Sequence, residues 1–352
     1  MAGFKFFFSI MIFLFSLIIA IIASLGMLAS YINPSLSGLI ALAGVFLPLS
    51  LLANFFFIFY WLITKKKWWI ISILPILLNT NYLLSIYQFN SPILNTNKGK
   101  EIVIASNNVH RFLTNHRITF HSVTTWAAKE KIEVICFQEY SQLHFSSDSI
   151  QKIFNSYPFH STFSKGKELC IFSKYPIIRS QNIDFQMQEG QGEWIDISSG
   201  KDTIRIFNVH LQSTNISKNT RQYNLSQKTG NQPNKIATLQ NSISDLKYSF
   251  KERAKQAVLL RQIIDTTRYP SIICGDFNDT PASYVYHKIK GKYIDGFRQR
   301  GNGYGFTFKG LGKLLRIDYI LYSKHFTGLQ YTSPKTEWSD HNPVIMKLSY
   351  NH

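Results

Sequence analysis

The sequence predicts an α/β domain with mixed sheets over residues 101–352, preceded by three transmembrane helices within residues 1–90 and joined to them by a linker at 91–100. Three observations carry this reading. Residues 1–90 contain no Asp or Glu and fall into long apolar runs. From Glu101 onward, short β-branched and aromatic runs both alternate with helical stretches and pair as hairpins, which favours a mixed sheet over a purely parallel one. Acids, amides and imidazoles recur where those runs end.

The first apolar run, "FFFSIMIFLFSLIIAIIASLGML", exceeds the about 20 residues needed to cross a bilayer. It is also longer than the central region of a signal peptide. A second span is expected from Leu36 to Ile63 and a third from Trp68 to Tyr87, the third interrupted by Pro75 and several Asn. Lys65, Lys66 and Lys67 between spans two and three mark that loop as cytoplasmic, and Trp68 and Trp69 suit an interfacial belt. The uncharged loop "SYINPSLSG" should face outward, so three crossings leave everything after "SPILNTNKGK" outside the cytoplasm, at a plasma or inner membrane.

In the remainder, "EIVIAS" reads as a strand ending near Asn107 and Asn108, "VTTWAAKEK" as a helix, and "IEVICFQE" as a strand ending at Glu139. "ELCIFSKYPI" is a strand broken at Pro176, and "EWIDIS" and "TIRIFNVHL" are hairpin partners around "SGKD". "KERAKQAVLLRQIIDTT" carries Ala257, Leu260 and Ile264 at helical spacing. "SIICGDF", "RIDYILY" and "PVIMKLS" supply further strands. Residues 214–241, rich in Asn, Gln, Ser, Thr and Lys, read as a long surface loop.

The net charge is +18, from 38 Lys and Arg against 20 Asp and Glu. Four of the 38 (Lys5 and Lys65–Lys67) and none of the 20 lie before residue 91, so 34 against 20 leaves the remainder at +14. Such a domain suits polyanions: nucleic acid, phospholipid headgroups or small phosphates. A basic surface that favours solubility or an anionic membrane is the plainer alternative. Cys136, Cys170 and Cys274 sit inside apolar runs and form neither a disulfide framework nor a zinc motif.

"ICGDFNDTP" places Asp276, Asn278 and Asp279 directly after an apolar strand. By themselves these are ordinary turn formers. But Asn108, Glu139, His210, Asp276 and Asn278 all sit within or just past strand ends, Asp318 lies in "RIDYIL", and Asp340 and His341 precede the last strand. Alone, Asp318 could simply pair with Arg316. Together, buried carboxylates need partners or a cation, and strand ends are where α/β domains gather sites.

The segments "NNVHRF", "CFQEY", "IFSKYPI", "FNVHLQS", "CGDFNDTP", "RIDYIL" and "SDHNPV" resemble, in order, those of the endonuclease/exonuclease/phosphatase superfamily with its deoxyribonuclease I-like fold. The resemblance covers Glu101 to Leu348 and implies a four-layer sandwich of two packed mixed sheets flanked by helices. It implies that Glu139 binds a divalent metal, Mg2+ or alternatively Mn2+, with Asn108 and Asp340 beside it. Asp276 would orient or deprotonate the attacking water with help from Asn278. His341, oriented by Asp318, and His210 would contact the phosphate, and Asn108, His210, Asn278 and His341 would bind substrate. The chain departs from many relatives in lacking small residues before "IFSKYP" and in its long polar insert after His210.

Hydrolysis of a phosphate ester requires an in-line water and neutralisation of charge on the phosphoryl oxygens. Mg2+ takes one or two carboxylates and keeps positions for water and phosphate. The expectation is therefore a membrane-anchored, Mg2+-dependent phosphohydrolase acting on phosphodiesters. A nuclease is favoured by the basic charge and by Lys218, Arg221, Lys228 and Lys235 in the insert. A phosphatase or phosphodiesterase of lipid or inositol phosphates is the alternative, and a non-catalytic polyanion-binding module is the alternative from another class. No protein partner is inferable from the sequence.

Overall fold

The computed structural model describes residues 2–93, 99–114, 117–141, 152–161, 168–186, 189–214 and 235–350. Lys218, Arg221 and Lys228 lie outside the described residues. The chain divides into two compact units. One comprises Met1–Leu84, Thr214–Ala254 and Pro281–His287; the other comprises Ser85–Ser213, Lys255–Thr280 and Lys288–His352.

Among the described residues of the first unit, one helix, Phe6–Leu28, is by itself long and apolar enough to cross a membrane. The other two expected spans are bent pairs. Gly38–Val45 and Leu47–Ile63 meet at 60°, and Trp69–Leu78 and Thr80–Ile86 at 62°. Pro48, in the first turn of Leu47–Ile63, cannot donate to the carbonyl four residues back and crowds it, which breaks the run there. The second bend comes at Asn79, whose side-chain amide donates to Pro75 O (2.8 Å) and Ala23 O (3.1 Å). Either pair counts as one span only if the bend is accepted within it.

In the second unit, the described residues form two six-stranded sheets. The first runs Phe326–Thr332, Val344–Tyr350, Lys100–Asn108, Val134–Gln138, Leu169–Ser173, Phe159–His160. The second runs Ile294–Asp295, Asp318–Tyr322, Ser271–Asp276, Asp202–His210, Gln191–Ser199, Ile177–Ile183. Each is mixed, with one parallel pair: Lys100–Asn108 beside Val134–Gln138, and Asp202–His210 beside Ser271–Asp276.

Strand alternation explains how both faces are used. Ile102 and Ile104 join Val134, Cys136 and Ile171 against Ile195, Ile197, Ile204, Ile206 and Ile272 of the other sheet, in one core. The residues between them, Val103 and Ala105, face the opposite way, toward Val123, Trp126 and Ala127 of helix Phe120–Lys129. The expected two packed sheets with helices outside are observed. All three cysteines are buried and free.

Of the expected loop 214–241, residues 215–234 lie outside the described residues. Its end, Lys235–Asn241, already belongs to a helix that runs Lys235–Asp265. Tyr87–Phe89, at the end of the expected third span, forms a strand antiparallel to Asn302–Tyr304.

Candidate active site

The two parallel pairs deliver polar residues to one end of the sandwich. In the first sheet Asn108 is in register with Gln138, so Glu139 follows immediately beyond. In the second, His210 pairs with Asp276, and Asp276 pairs with Asp318 at the start of an antiparallel strand. His341 lies three residues before the strand Val344–Tyr350, which begins opposite Ser106. Just below, Gln138 Nε2 donates to Asn208 Oδ1 (2.7 Å), a buried hydrogen bond that ties the two sheets together under the site.

Local backbone is specialised here. Gly275 has φ +147°, and a Cβ there would lie 2.0 Å from Val209 O, so only glycine can precede Asp276. Glu139, Asn278 and His110 all adopt left-handed φ near +50°. Each such non-glycine residue costs of order 1 kcal/mol or more, and this kind of strain gathers at functional sites.

Asn108 links the two carboxylates. Its Nδ2 donates to Glu139 Oε1 and to Asp276 Oδ2, both at 3.1 Å. Asp276 Oδ1 accepts the backbone N–H of Asn278 (2.8 Å). His210 Nε2 and His341 Nε2 each lie 3.8 Å from Asp276 Oδ2. His341 Nδ1 lies 2.9 Å from Asp318 Oδ2. The Asp318 backbone N–H donates to Thr307 Oγ1 (3.1 Å). Arg316 does not pair with Asp318: it is buried and forked onto Asp295 at 3.1 and 2.6 Å, which corrects the simpler explanation of Asp318.

Seven of the eight expected site residues therefore converge directly. Asn278 does so through its backbone, while its side-chain amide turns away to Leu211 O (2.9 Å). Asp340 joins through a residue that was not expected. His110 Nδ1 lies 3.5 Å from both Glu139 Oε2 and Asp340 Oδ1. Ser339 was also not expected. Its Oγ donates to Asn108 O (2.7 Å) and accepts from His341 N (3.1 Å), clamping the His341 loop to the Asn108 strand. Its place between Trp338 and "DHN" was the available signal. The signal for His110 was its position two residues past a strand-end asparagine.

The charges are polarised. Burial pushes the Glu139 carboxyl up, but His110, His210, Asn108 and His341 outweigh it and hold it at about 2. Burial and the neighbouring Asp318 push Asp276 the other way, to about 6, against His341, His210 and the Asn278 N–H. Burial opposes charge on His341, but Asp318 and Asp276 together hold its imidazolium to about 10. His110 is raised chiefly by its hydrogen bond to Glu139.

Asp276, Asp318 and His341 lie close enough for one ligand atom from each to surround a cation. An imidazolium bonded to Asp318 has no lone pair to give, so this trio is better suited to holding a proton than a metal. Glu139 and Asp340 expose 26% and 46% of their side chains and present hard oxygen donors beside Asn108. That set fits a hydrated divalent cation of the Mg2+ type.

Residues 94–341 match the model described as the Endonuclease/Exonuclease/phosphatase family, and residues 6–86 match one described as a domain of unknown function. No curated protein matches the chain. Among solved structures, an endonuclease/exonuclease/phosphatase family protein from Bacteroides thetaiotaomicron is similar, with TM-score 0.53, 15% identity, and coverage of 73% of this chain and 100% of that one. D. rerio TDP2 complexed with a single-strand DNA product has TM-score 0.53 and 15% identity, covering 71% of this chain and 99% of that one. The mannosyl-6-phosphatase of Bacteroides thetaiotaomicron has TM-score 0.50 and 15% identity, covering 71% and 100%.

Proposed function

Because the chain belongs to the endonuclease/exonuclease/phosphatase family and is a hydrolase of phosphate esters, we propose that it is a membrane-anchored, Mg2+-dependent phosphodiesterase of the nuclease type. The observation that carries this reading is the opposed pair of carboxylates: Glu139 held ionised and Asp276 held near neutrality, bridged by one asparagine. Glu139, with Asn108 and Asp340, would hold the cation. When bound, the cation offsets charge on the phosphoryl oxygens.

The remaining steps belong to side chains. Asp276, fixed by Asn278 N–H and Asn108 Nδ2, accepts a proton from the attacking water, and its pKa near 6 suits a base working near neutral pH. His341, kept positive by Asp318, and His210 each lie 3.8 Å from Asp276 Oδ2 and would bind the phosphate. The second reading, a lipid or inositol phosphate esterase, is favoured by the membrane-type helices. The similarity to a TDP2 with bound single-strand DNA product supports the first, and the similarity to a mannosyl-6-phosphatase keeps monoesters within reach. Rates measured side by side on DNA, RNA, phospholipid and inositol phosphates separate the readings.

Activity should follow two ionisations. The ratio kcat/KM should fall below about pH 6 as Asp276 gains a proton and above about pH 10 as His341 loses one. Asp318 raises both groups, so Asp318→Asn should move both limbs to lower pH. A pH–rate profile whose alkaline limb stays in place in that variant would remove Asp318 from the charge system.

The anchoring domain spans 1–90, the linker 91–100 and the catalytic domain 101–352, with three crossings that leave the catalytic domain outside the cytoplasm. Contacts inside the helical unit set the lysine turn apart from one other segment of that unit. Trp68 packs on Phe13, and Lys66 Nζ donates to Ser9 Oγ (2.8 Å) toward the start of the helix Ala2–Leu28. Ser30, just past the other end and about 30 Å away along the axis, donates through Oγ to Ala282 O (3.0 Å). The lysine turn and the Pro281–His287 segment thus lie at opposite ends of an apolar helix. A reporter fused after His352 should behave as exported; cytoplasmic reporter activity there would reverse the orientation and leave the enzyme assignment standing.

A further inference from the structure

The helix Lys235–Asp265 carries one apolar stripe along its length. Ile236, Leu239, Ile243, Leu246 and Phe250 recur at the spacing of one helical face, and the stripe continues through Ala257, Leu260 and Ile264. Toward its C-terminal end the stripe is core: Phe250, Ala257, Leu260 and Ile264 are buried. Toward its start Ile236 and Leu239 are 68% and 62% exposed, with Ile243 and Leu246 half-buried between. Burying large apolar side chains is favourable, so a stripe that stays exposed at one end is costly.

Its neighbours within the same compact unit say what covers it. The stem of Lys247 lies 3.2 Å from where a Cβ would stand on Gly38, which opens the helix after the turn at 30–37. That turn follows the long apolar helix, and Tyr31, Leu36 and Leu39 around it are 71%, 83% and 69% exposed. At Lys247 the helix therefore reaches the turn where the apolar span ends, which is where a bilayer's interface would lie. Residues 214–244 add Lys218, Arg221, Lys228 and Lys235 with no acid, a composition drawn to anionic headgroups.

Resting on the membrane anchorage above, we propose that the first half of this helix is an interfacial element, with Ile236 and Leu239 inserted among the lipids of an anionic bilayer. It would give the protein a second, peripheral membrane contact besides its spans. Such helices pair an apolar face with a basic surround and respond to lipid charge.

The test uses the full-length chain in vesicles of phosphatidylcholine with phosphatidylglycerol, carrying one nitroxide at Leu239→Cys, Asn241→Cys or Phe15→Cys; the native cysteines are buried. Asn241 is exposed on the opposite side of the helix from Leu239, and Phe15 is exposed midway along the apolar helix. The labels at 239 and 15 should favour collision with oxygen, and the label at 241 with a water-soluble nickel complex, by several-fold. Replacing the anionic lipid with phosphatidylcholine should raise nickel access at 239 and leave position 15 unchanged. Nickel access at 239 equal to that at 241, with position 15 still in lipid, would overturn the interfacial helix while the anchorage stands. Position 239 closed to both reagents would mean a protein surface covers it, and would also overturn the proposal. Nickel access at 15 would overturn the anchorage and the proposal together.

Discussion

Asp276→Asn and His341→Ala are each expected to lower kcat by at least about 100-fold with the fold retained. Asp276 is buried at the end of a central strand, and its two oxygens accept from Asn278 N–H and Asn108 Nδ2. Asparagine keeps that shape and removes the basicity. His341 is nearly as buried, with Nδ1 on Asp318 and Nε2 3.8 Å from Asp276. Alanine there removes the positive charge that faces the phosphate and opens a cavity beside Phe308, whose ring centroid is 5.0 Å away. Because the two groups share one transition state, the double variant should lose much less than the product of the single losses. Asp318→Asn should cost less, since it weakens the orientation and charge of His341 and the basicity of Asp276 without removing either group. Steady-state kinetics at saturating metal decide this. Near-normal kcat in His341→Ala, or multiplicative losses in the double variant, would separate these residues into independent roles.

Glu139→Gln is expected to weaken Mg2+ binding and remove most of the activity. The swap preserves the hydrogen bond from Asn108 Nδ2 to the remaining carbonyl oxygen, and the left-handed backbone at φ +51° does not depend on side-chain charge. What it removes is the carboxylate that a hard cation requires. Calorimetry of Mg2+ binding on wild type and variant gives the answer without reference to turnover. Equal affinities would remove Glu139 as a ligand and shift attention to the trio of Asp276, Asp318 and His341.

Much of this site was legible before the structure because its residues stand at strand ends, and strands announce themselves by apolar runs. Asn108, Glu139, His210 and Asp276 each follow such a run, and the parallel registers bring them together as the pattern suggested. His110 escaped because it belongs to a left-handed turn with no periodicity, and its value comes from where that turn returns, between Glu139 and Asp340. Ser339 escaped for a related reason: one hydroxyl serving two backbone groups has no sequence pattern. Strand Phe326–Thr332 was missed because Gly328 and a register shift beside it weaken the alternation of an edge strand. The helix Lys235–Asp265 was read too short because the polar start of its sequence resembles a loop, although Ile236, Leu239, Ile243 and Leu246 already keep helical spacing. The second and third expected spans show in the sequence as apolar runs, the third with its Asn interruptions, but the bend at Pro48 was not expected because it depends on local backbone bonding.

The most direct test follows hydrolysis of a generic phosphodiester by the full-length wild type and Asp276→Asn, first with Mg2+, then with chelator, then with Mg2+ restored. The expected result is turnover by wild type that chelation abolishes and Mg2+ restores, and near-background rates for Asp276→Asn throughout. Wild-type turnover that survives chelation, or an Asp276→Asn enzyme that keeps pace with wild type, would contradict a metal-assisted hydrolysis centred on Asp276.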